Sequence, residues 1–383
     1  MTEETLRMSR KERKRLIVME QVRAGSLTLV AGAERMGISY RQAKRIWARF
    51  RHQGAGGLVH GNRDRLGNRR LEEGFKEKVL ALYGEKYRDF GPTLAAEKMA
   101  ERDGVRVNRE TLRRWLKGAC LWMGRTAWRR HRRRRQRRAH FGELVQLDGS
   151  HHGWFEERAE QACLMVMVDD ATGHTEALMA EGETTQAVFG VLRKWIERHG
   201  APAALYTDRK NIYVTDREPT AQEKRAGTGA LTDFGRACWR LGIEIIAAHS
   251  PQAKGRVERK NGVFQDRLVK ELRLLGIDAI EAANAMLDPF TADLNRRFAQ
   301  APLEEANHHR ALSPGLALED VLCLESTRVV QNDWTFALGG RTFQIPPQPN
   351  APRARRRVCL RQRLDQTILC LYQGRPVEIE EVA

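Results

Sequence analysis

The sequence predicts a multidomain α/β chain. Two N-terminal helical units of helix-turn-helix type come first, then a mixed five-stranded sheet with helices, then a small C-terminal β-barrel. Three observations predict this. Residues 10–118 carry apolar positions at helical spacing, punctuated by short Gly- and Asn-containing turns. The middle third carries strand-like runs that give way to alternating helix and strand. Beyond about residue 320 the pattern turns strand-like again, with a Gly-Gly turn.

Taken in order, SLTLVAGAERMGISYRQAKRIWARF reads as two helices about a tight turn. Leu29, Val30, Ala33 and Met36 form the first apolar stripe, Gly37 and Ile38 the turn, and Ser39 the next N-cap. The second helix has Ala43, Ile46, Trp47 and Phe50 inward, leaving Arg41, Gln42, Lys44 and Arg45 outward. Those outward types suit phosphates and base edges. The segment FGPTLAAEKMAERDGVRVNRETLRRWLKG repeats the logic, with Pro92 opening one helix and Asn108 capping another that bears Arg109 and Arg113. A run of eight arginines from Arg129 to Arg138, including Arg132, Arg133 and Arg134, cannot pack in a core and reads as an extended arm for DNA.

In the middle region ELVQLDGS, ACLMVMVDD, TEALMA, PAALYTD and IEIIAAH read as five strands. ACLMVMV is apolar throughout, as a strand buried on both faces would be. ETTQAVFGVLRKWIERHG and LTDFGRACWRLG read as helices, and GRVERKNGVFQDRLVKEL as the last one. The late segment DWTFALGGRTFQIPP reads as a hairpin, with further strands after it making the barrel. The boundaries fall at 1–65, 66–122, 123–140 (the arm), 141–310 and 311–383.

The formal net charge is +18 and the pI about 10.1, a balance suited to polyanions. The six cysteines show no zinc spacing and sit mostly in apolar contexts, as in a reducing compartment. The N-terminal stretch MTEETLRMSRKERKR lacks a signal-peptide core, and no apolar run has transmembrane length, so a cytoplasmic protein is expected. No GxxxxGK[ST] loop is present, so nucleotide hydrolysis is not expected.

Three acids stand out: Asp148 in the first strand, Asp208 closing the fourth, and Glu258 early on the last helix, among Lys254, Arg256, Arg259 and Lys260. Strand ends of an α/β sheet face the ligand crevice. Clustered carboxylates repel unless cations share them, and hard oxygen donors suit Mg²⁺ or Mn²⁺. Lys254, Arg256 and Lys260 then face DNA phosphates. Asp216, Asp233, Asp169 and Asp170 are weaker rivals. The last two sit at a hairpin turn, where Asp bonds locally.

The pattern LDGS, LYTDRKNIY and HSPQAKGRVERKNG resembles the integrase core of DDE transposases and retroviral integrases, and the chain is similar to bacterial insertion-sequence transposases of the ISNCY type. The resemblance implies an RNase H-like core in which Asp148, Asp208 and Glu258 are the catalytic and metal-holding triad. It implies Mg²⁺- or Mn²⁺-dependent cleavage at terminal inverted repeats, strand transfer into double-stranded target DNA, and at least a dimer on DNA. It also implies a bacterial, nucleoid-associated protein. The interval from Asp208 to Glu258 is longer than in the common integrase pattern, which points to an inserted loop at NIYVTDREPTAQEKRAGTGALTD. The alternative is a DNA-binding transcriptional regulator that keeps a silent core of the same origin.

Overall fold

The computed structural model describes residues 6–61, 63, 72–124, 136–247 and 255–382. Contacts divide the chain into a unit ending at Gly124 and a unit beginning at Arg125.

The N-terminal unit is helical. Helix α1 (Arg10–Arg23) starts at a capping box: Glu12 N bonds Ser9 Oγ, and Ser9 N donates to Glu12 Oε2 at 2.7 Å. Helix α2 (Leu29–Met36) stops at Gly37, whose φ of 65° reverses the chain. Helix α3 (Tyr40–Gln53) begins at Ser39, which accepts from Gln42 N. Ile46 and Phe50 of α3 pack on Val18 and Met19 of α1 and on Leu58 of a 3₁₀ turn. Val30, predicted inward, is 53% exposed, because α2 is short and turns only Gly32 and Ala33 fully into this small core. Helices α4 (Phe75–Lys86), α5 (Pro92–Arg102) and α6 (Arg109–Gly118) form a second trio; α5 has Pro at its first position and α6 is capped by Asn108.

The second unit holds the sheet. Strands β1 (Val145–His152), β2 (Ala162–Asp169) and β3 (Thr175–Ala180) form an antiparallel meander. Helix α7 (Thr185–His199) leads to β4 (Ala204–Thr207). A long connection carries the short helix α8 (Ala221–Arg225) into α9 (Asp233–Arg240) and β5 (Glu244–Ala247). The order is β3-β2-β1-β4-β5, with β4 and β5 parallel to β1, so the mixed five-stranded sheet is as the sequence predicts. Strand β2 is buried throughout: Cys163, Met165 and Met167 face α7 and α9, while Leu164, Val166 and Val168 face the opposite layer.

That opposite layer contains α10 (Gly255–Leu274) and α11 (Ile280–Phe298). Val257, Phe264, Leu268 and Leu272 of α10 are buried, as the sequence stripe requires. Helix α11 was not read from sequence, since Pro289 lies inside it. It covers the edge strand. Asn284 exchanges both backbone bonds with Met179 at 2.8 and 2.9 Å, and Asn295 does the same with Thr175 at 2.9 and 2.8 Å. Two amide side chains thus stand in for a missing neighbour strand.

After α12 (Leu318–Val321) come β6 (Leu324–Val329), β7 (Thr335–Leu338), β8 (Arg341–Gln344), β9 (Arg357–Gln362), β10 (Ile368–Tyr372), β11 (Arg375–Val377) and β12 (Glu380–Val382). The β7–β8 hairpin turns at Gly339 and Gly340, both at positive φ. The expected closed barrel is not formed among the described residues. The strands make two sheets, β11-β10-β9-β6 and β12-β8-β7, packed on one core of Val330, Phe336, Phe343, Val358 and Leu360. The chain leaves the first sheet at the Gln331–Trp334 turn, where Trp334 sits at φ 60°, and between β11 and β12, so the outer edges do not pair. Among the described residues, no helix is long and apolar enough to cross a membrane.

Candidate active site and nucleic-acid interface

Asp148 belongs to β1 and Asp208 follows β4, its parallel neighbour in the sheet. Val145 pairs with Leu205 and Gln146 with Tyr206. Two residues further on, Asp148 lies within β1, on the face of the strand that also presents Gln146, and Asp208 follows the last residue of β4.

Helix α10 runs along that face in a regular ladder. Gln146 Oε1 accepts from Val257 N at 3.2 Å, Asp148 Oδ2 from Asn261 Nδ2 at 3.0 Å, and Ser150 Oγ from Gln265 Nε2 at 3.2 Å. Two strand residues rise about 6.6 Å and four helical residues about 6 Å, so each alternate residue of β1 meets one turn of α10. Glu258 sits three residues before Asn261, in the same helical neighbourhood, and is exposed in the first turn. Asn261 Oδ1 is buried without a hydrogen-bond partner among the described residues. An acceptor oxygen left open beside a carboxylate suits a cation or its water.

Asp208 is partly exposed, at 29%. Its Oδ1 accepts from Lys210 N at 3.1 Å, and Lys210 Nζ lies 3.6 Å from its Oδ2. Lys210 Nζ also bonds Glu183, whose side chain is only 4% exposed, and Tyr213 donates to Glu183 Oε1 at 2.9 Å. Burial pulls the Lys210 ammonium down, but the Glu183 carboxylate outweighs it and leaves the group above its ordinary value. Burial, then the charge of Glu183, pushes the Tyr213 phenol far up. Sequence reading missed Glu183, Lys210, Tyr213 and Asn261. Glu183 precedes the N-cap Thr184, so in sequence it looks like part of a helix start.

The groups whose ligand atoms lie within 4.8 Å of one another, among the described residues, are His151–Cys163–Glu183 and His174–Glu176–His199. Neither contains Asp148, Asp208 or Glu258. Burial pushes the Cys163 thiol up to about 12, which suits packing better than ligation. Glu176 is held by Arg198 at 2.6 Å, which already supplies its counter-charge.

Three of the four rival acids, Asp169, Asp170 and Asp233, have structural duties. Asp169 accepts from Thr172 N and Oγ1 at 2.7 and 2.8 Å and from Gly142 N at 3.0 Å. Asp170, fully buried, takes Gln146 Nε2 at 2.8 Å and Arg256 Nε at 2.7 Å. Arg256 is therefore drawn inward, 12% exposed, rather than presented to solvent. Asp233 opens α9, where its Oδ1 takes Arg236 and Glu325 N. Burial, with Arg137 adding, holds Lys260 down at about 8.

In the N-terminal unit Arg41, Gln42, Lys44 and Arg45 are all exposed on α3, and Ser39, Arg41, Gln42, Arg45, Ala48 and Arg49 line one shallow concavity. Arg109 and Arg113 are exposed on α6, Arg113 beside Glu110 at 3.3 Å. Arg132, Arg133, Arg134 and Lys254 lie outside the described residues.

A model of the helix-turn-helix domain matches residues 14–67. The chain is 42% identical over 334 residues to a Sinorhizobium fredii protein named as transposase y4bF, covering 86% of this chain and 72% of that one. It is 27% identical over 323 residues to the transposase for insertion sequence IS1202 of Streptococcus pneumoniae, covering 75% and 68% respectively. Among solved structures it is similar to the catalytic core of the HTLV-2 integrase in complex with magnesium, at 20% identity, TM-score 0.30, 39% of this chain and 83% of that one. It is also similar to the simian T-cell lymphotropic virus intasome chain, at 15% identity, TM-score 0.36, 80% and 99%.

Proposed function

This chain belongs to the insertion-sequence transposases, and we propose that its sheet-bearing unit cleaves and joins DNA strands at the ends of its own element. The observation that carries the reading is the register of β1 and β4, with the α10 ladder beside it. Parallel β1 and β4 lead to Asp148 and Asp208, and α10, which carries Glu258, bonds Asp148 through Asn261.

These donors fit a divalent cation. They are hard carboxylate oxygens, and Asn261 Oδ1, buried beside Asp148, has no hydrogen-bond partner among the described residues. Mg²⁺ or Mn²⁺ bound there would activate an attacking oxygen and stabilise the leaving one. Asp148, Asp208 and Glu258 would be its ligands. Asn261 orients Asp148 through its amide, and the Lys210 N–H orients Asp208. A water attacks first at each element end. The freed 3′ hydroxyl then attacks the target strand, with no covalent protein–DNA bond.

The exposed Arg41, Gln42, Lys44 and Arg45 of α3 would read the terminal repeats in a major groove, with Arg109 and Arg113 of α6 extending the footprint. Arg132, Arg133 and Arg134 would lie along the backbone or minor groove, and Lys254 and Lys260 beside the cut phosphate. With Arg256 held on Asp170, its part is to seat α10 against β1. Cutting two ends together calls for at least a dimer on duplex DNA.

Replacing Asp208 with Asn tests this. Cutting of a labelled element end in Mg²⁺ should fall below detection while DNA affinity stays at the wild-type level. Full cutting by Asp208→Asn would remove that residue from the site.

A further inference from the structure

We propose that Glu183 is a positioning residue of this site, bracing from the rear of the sheet the two segments that carry Asp148 and Asp208. The inference rests on the reading of those two aspartates given above.

Residues 146 and 148 of β1 face α10, so residue 149 faces the opposite layer. Glu183 fills the space beneath Gly149. A Cβ added at Gly149 would stand 2.5 Å from Glu183 Oε2 and 2.7 Å from its carboxyl carbon. No side chain other than hydrogen fits there while Glu183 stays. His151, next on the same face, has Nε2 3.8 Å from Glu183 Oε2.

A carboxylate with 4% exposure is costly unless it is paired and hydrogen-bonded. Here both partners come from the segment that follows Asp208. Tyr213 is buried and donates to Oε1, and Lys210 bonds Oε2. Lys210 then bonds Asp208 through its own backbone N–H. A continuous chain of contacts therefore runs from beneath β1 to the Asp208 carboxylate. The long connection after β4 is tied down at its start by this one acid.

The brace also manages charge. Lys210 Nζ is shared between Glu183 and Asp208, in contact with the first and 3.6 Å from the second. Without Glu183, the ammonium has Asp208 as its nearest carboxylate and would compete with a cation for it. The Tyr213 hydroxyl would lose its acceptor inside the fold. Losing the brace should thus weaken cation binding and loosen the 208–213 segment while sparing DNA recognition by the N-terminal unit.

The test uses the full chain and Mn²⁺ alone, with free Mn²⁺ read by electron paramagnetic resonance. Glu183→Gln keeps the shape and removes the charge. Gly149→Ala displaces the carboxylate by a different route. If only about a tenth of molecules keep the competent loop, apparent Mn²⁺ affinity falls about tenfold. Both variants should show that fall, recover end cutting at high Mn²⁺, and be cleaved faster by trypsin after Arg209 and Lys210. Tyr213→Phe, which removes one hydroxyl, should move in the same direction less far, and decides the matter if the first two do not fold. Wild-type Mn²⁺ affinity together with wild-type trypsin resistance in the folded variants would overturn the brace. An Asp208→Asn control separates the two claims. If that control binds Mn²⁺ as wild type does, the aspartate reading fails, and the brace stands or falls on trypsin cleavage alone.

Discussion

Glu12 shows what one side chain does for the N-terminal unit. Its carboxylate takes Ser9 N at 2.7 Å and His60 N at 2.8 Å, and also bonds Arg63. It thereby ties the start of α1 to the chain that leaves α3. The backbone bond from Ser9, then that from His60, holds its pKa down at about 2 from an ordinary 4.5. A depressed folded value means that the stabilisation is present above pH 4.5 and is lost as pH falls towards 2. Glu12→Gln should lower the melting temperature at pH 7, and the gap to wild type should close between pH 4.5 and 2. A gap that stays constant over that window would show that the charge is not what matters. The same scale separates the sequence reading from the structure at Arg256. Its basic type was legible, but its ion pair with Asp170 depends on a contact spanning 86 residues.

Helices α10 and α11 show what a whole element contributes. The apolar stripe of α10 was readable because burial follows helical periodicity: Val257, Phe264, Leu268 and Leu272 are all buried. The register that puts Asn261 on Asp148 was not readable, since it depends on how α10 slides along β1. Helix α11 was hidden by Pro289, and its two asparagines carry no local signal that they pair with an edge strand. Each serves one N–H and one C=O of β3, so Asn284→Ala should destabilise the second unit by about 1–3 kcal/mol, the cost of unsatisfied buried groups. Asn284→Asp keeps an acceptor for Met179 N but puts a charge against Met179 O, and should do no better. Chemical denaturation checks both, and unchanged midpoints would mean that the edge is solvated without them. The C-terminal hairpin was legible from Gly339 and Gly340. The barrel does not close among the described residues, where the strands split into two sheets, β11-β10-β9-β6 and β12-β8-β7, whose outer edges a sequence pattern does not reveal.

For the whole molecule, the helical N-terminal unit and the mixed five-stranded sheet were anticipated by pattern, whereas the strand order β3-β2-β1-β4-β5 was not. Sequence placed Asp148 in the first strand and Asp208 at the close of the fourth, and the structure has Asp148 midway along β1 and Asp208 just after β4. Glu183, Lys210 and Tyr213 were not legible, because they reach the site through tertiary packing from a helix cap and a loop. If the N-terminal unit reads the element ends and the carboxylate-bearing sheet cuts them, end-specific cutting depends on Glu258 in the basic helix α10. The most direct measurement takes purified full-length chain, a labelled duplex bearing the ends of its flanking element, and Mg²⁺, and compares wild type with Glu258→Gln. The account predicts 3′-end nicking at the element boundary by wild type, none by Glu258→Gln, and equal binding by both. Equal nicking by the two proteins would contradict it.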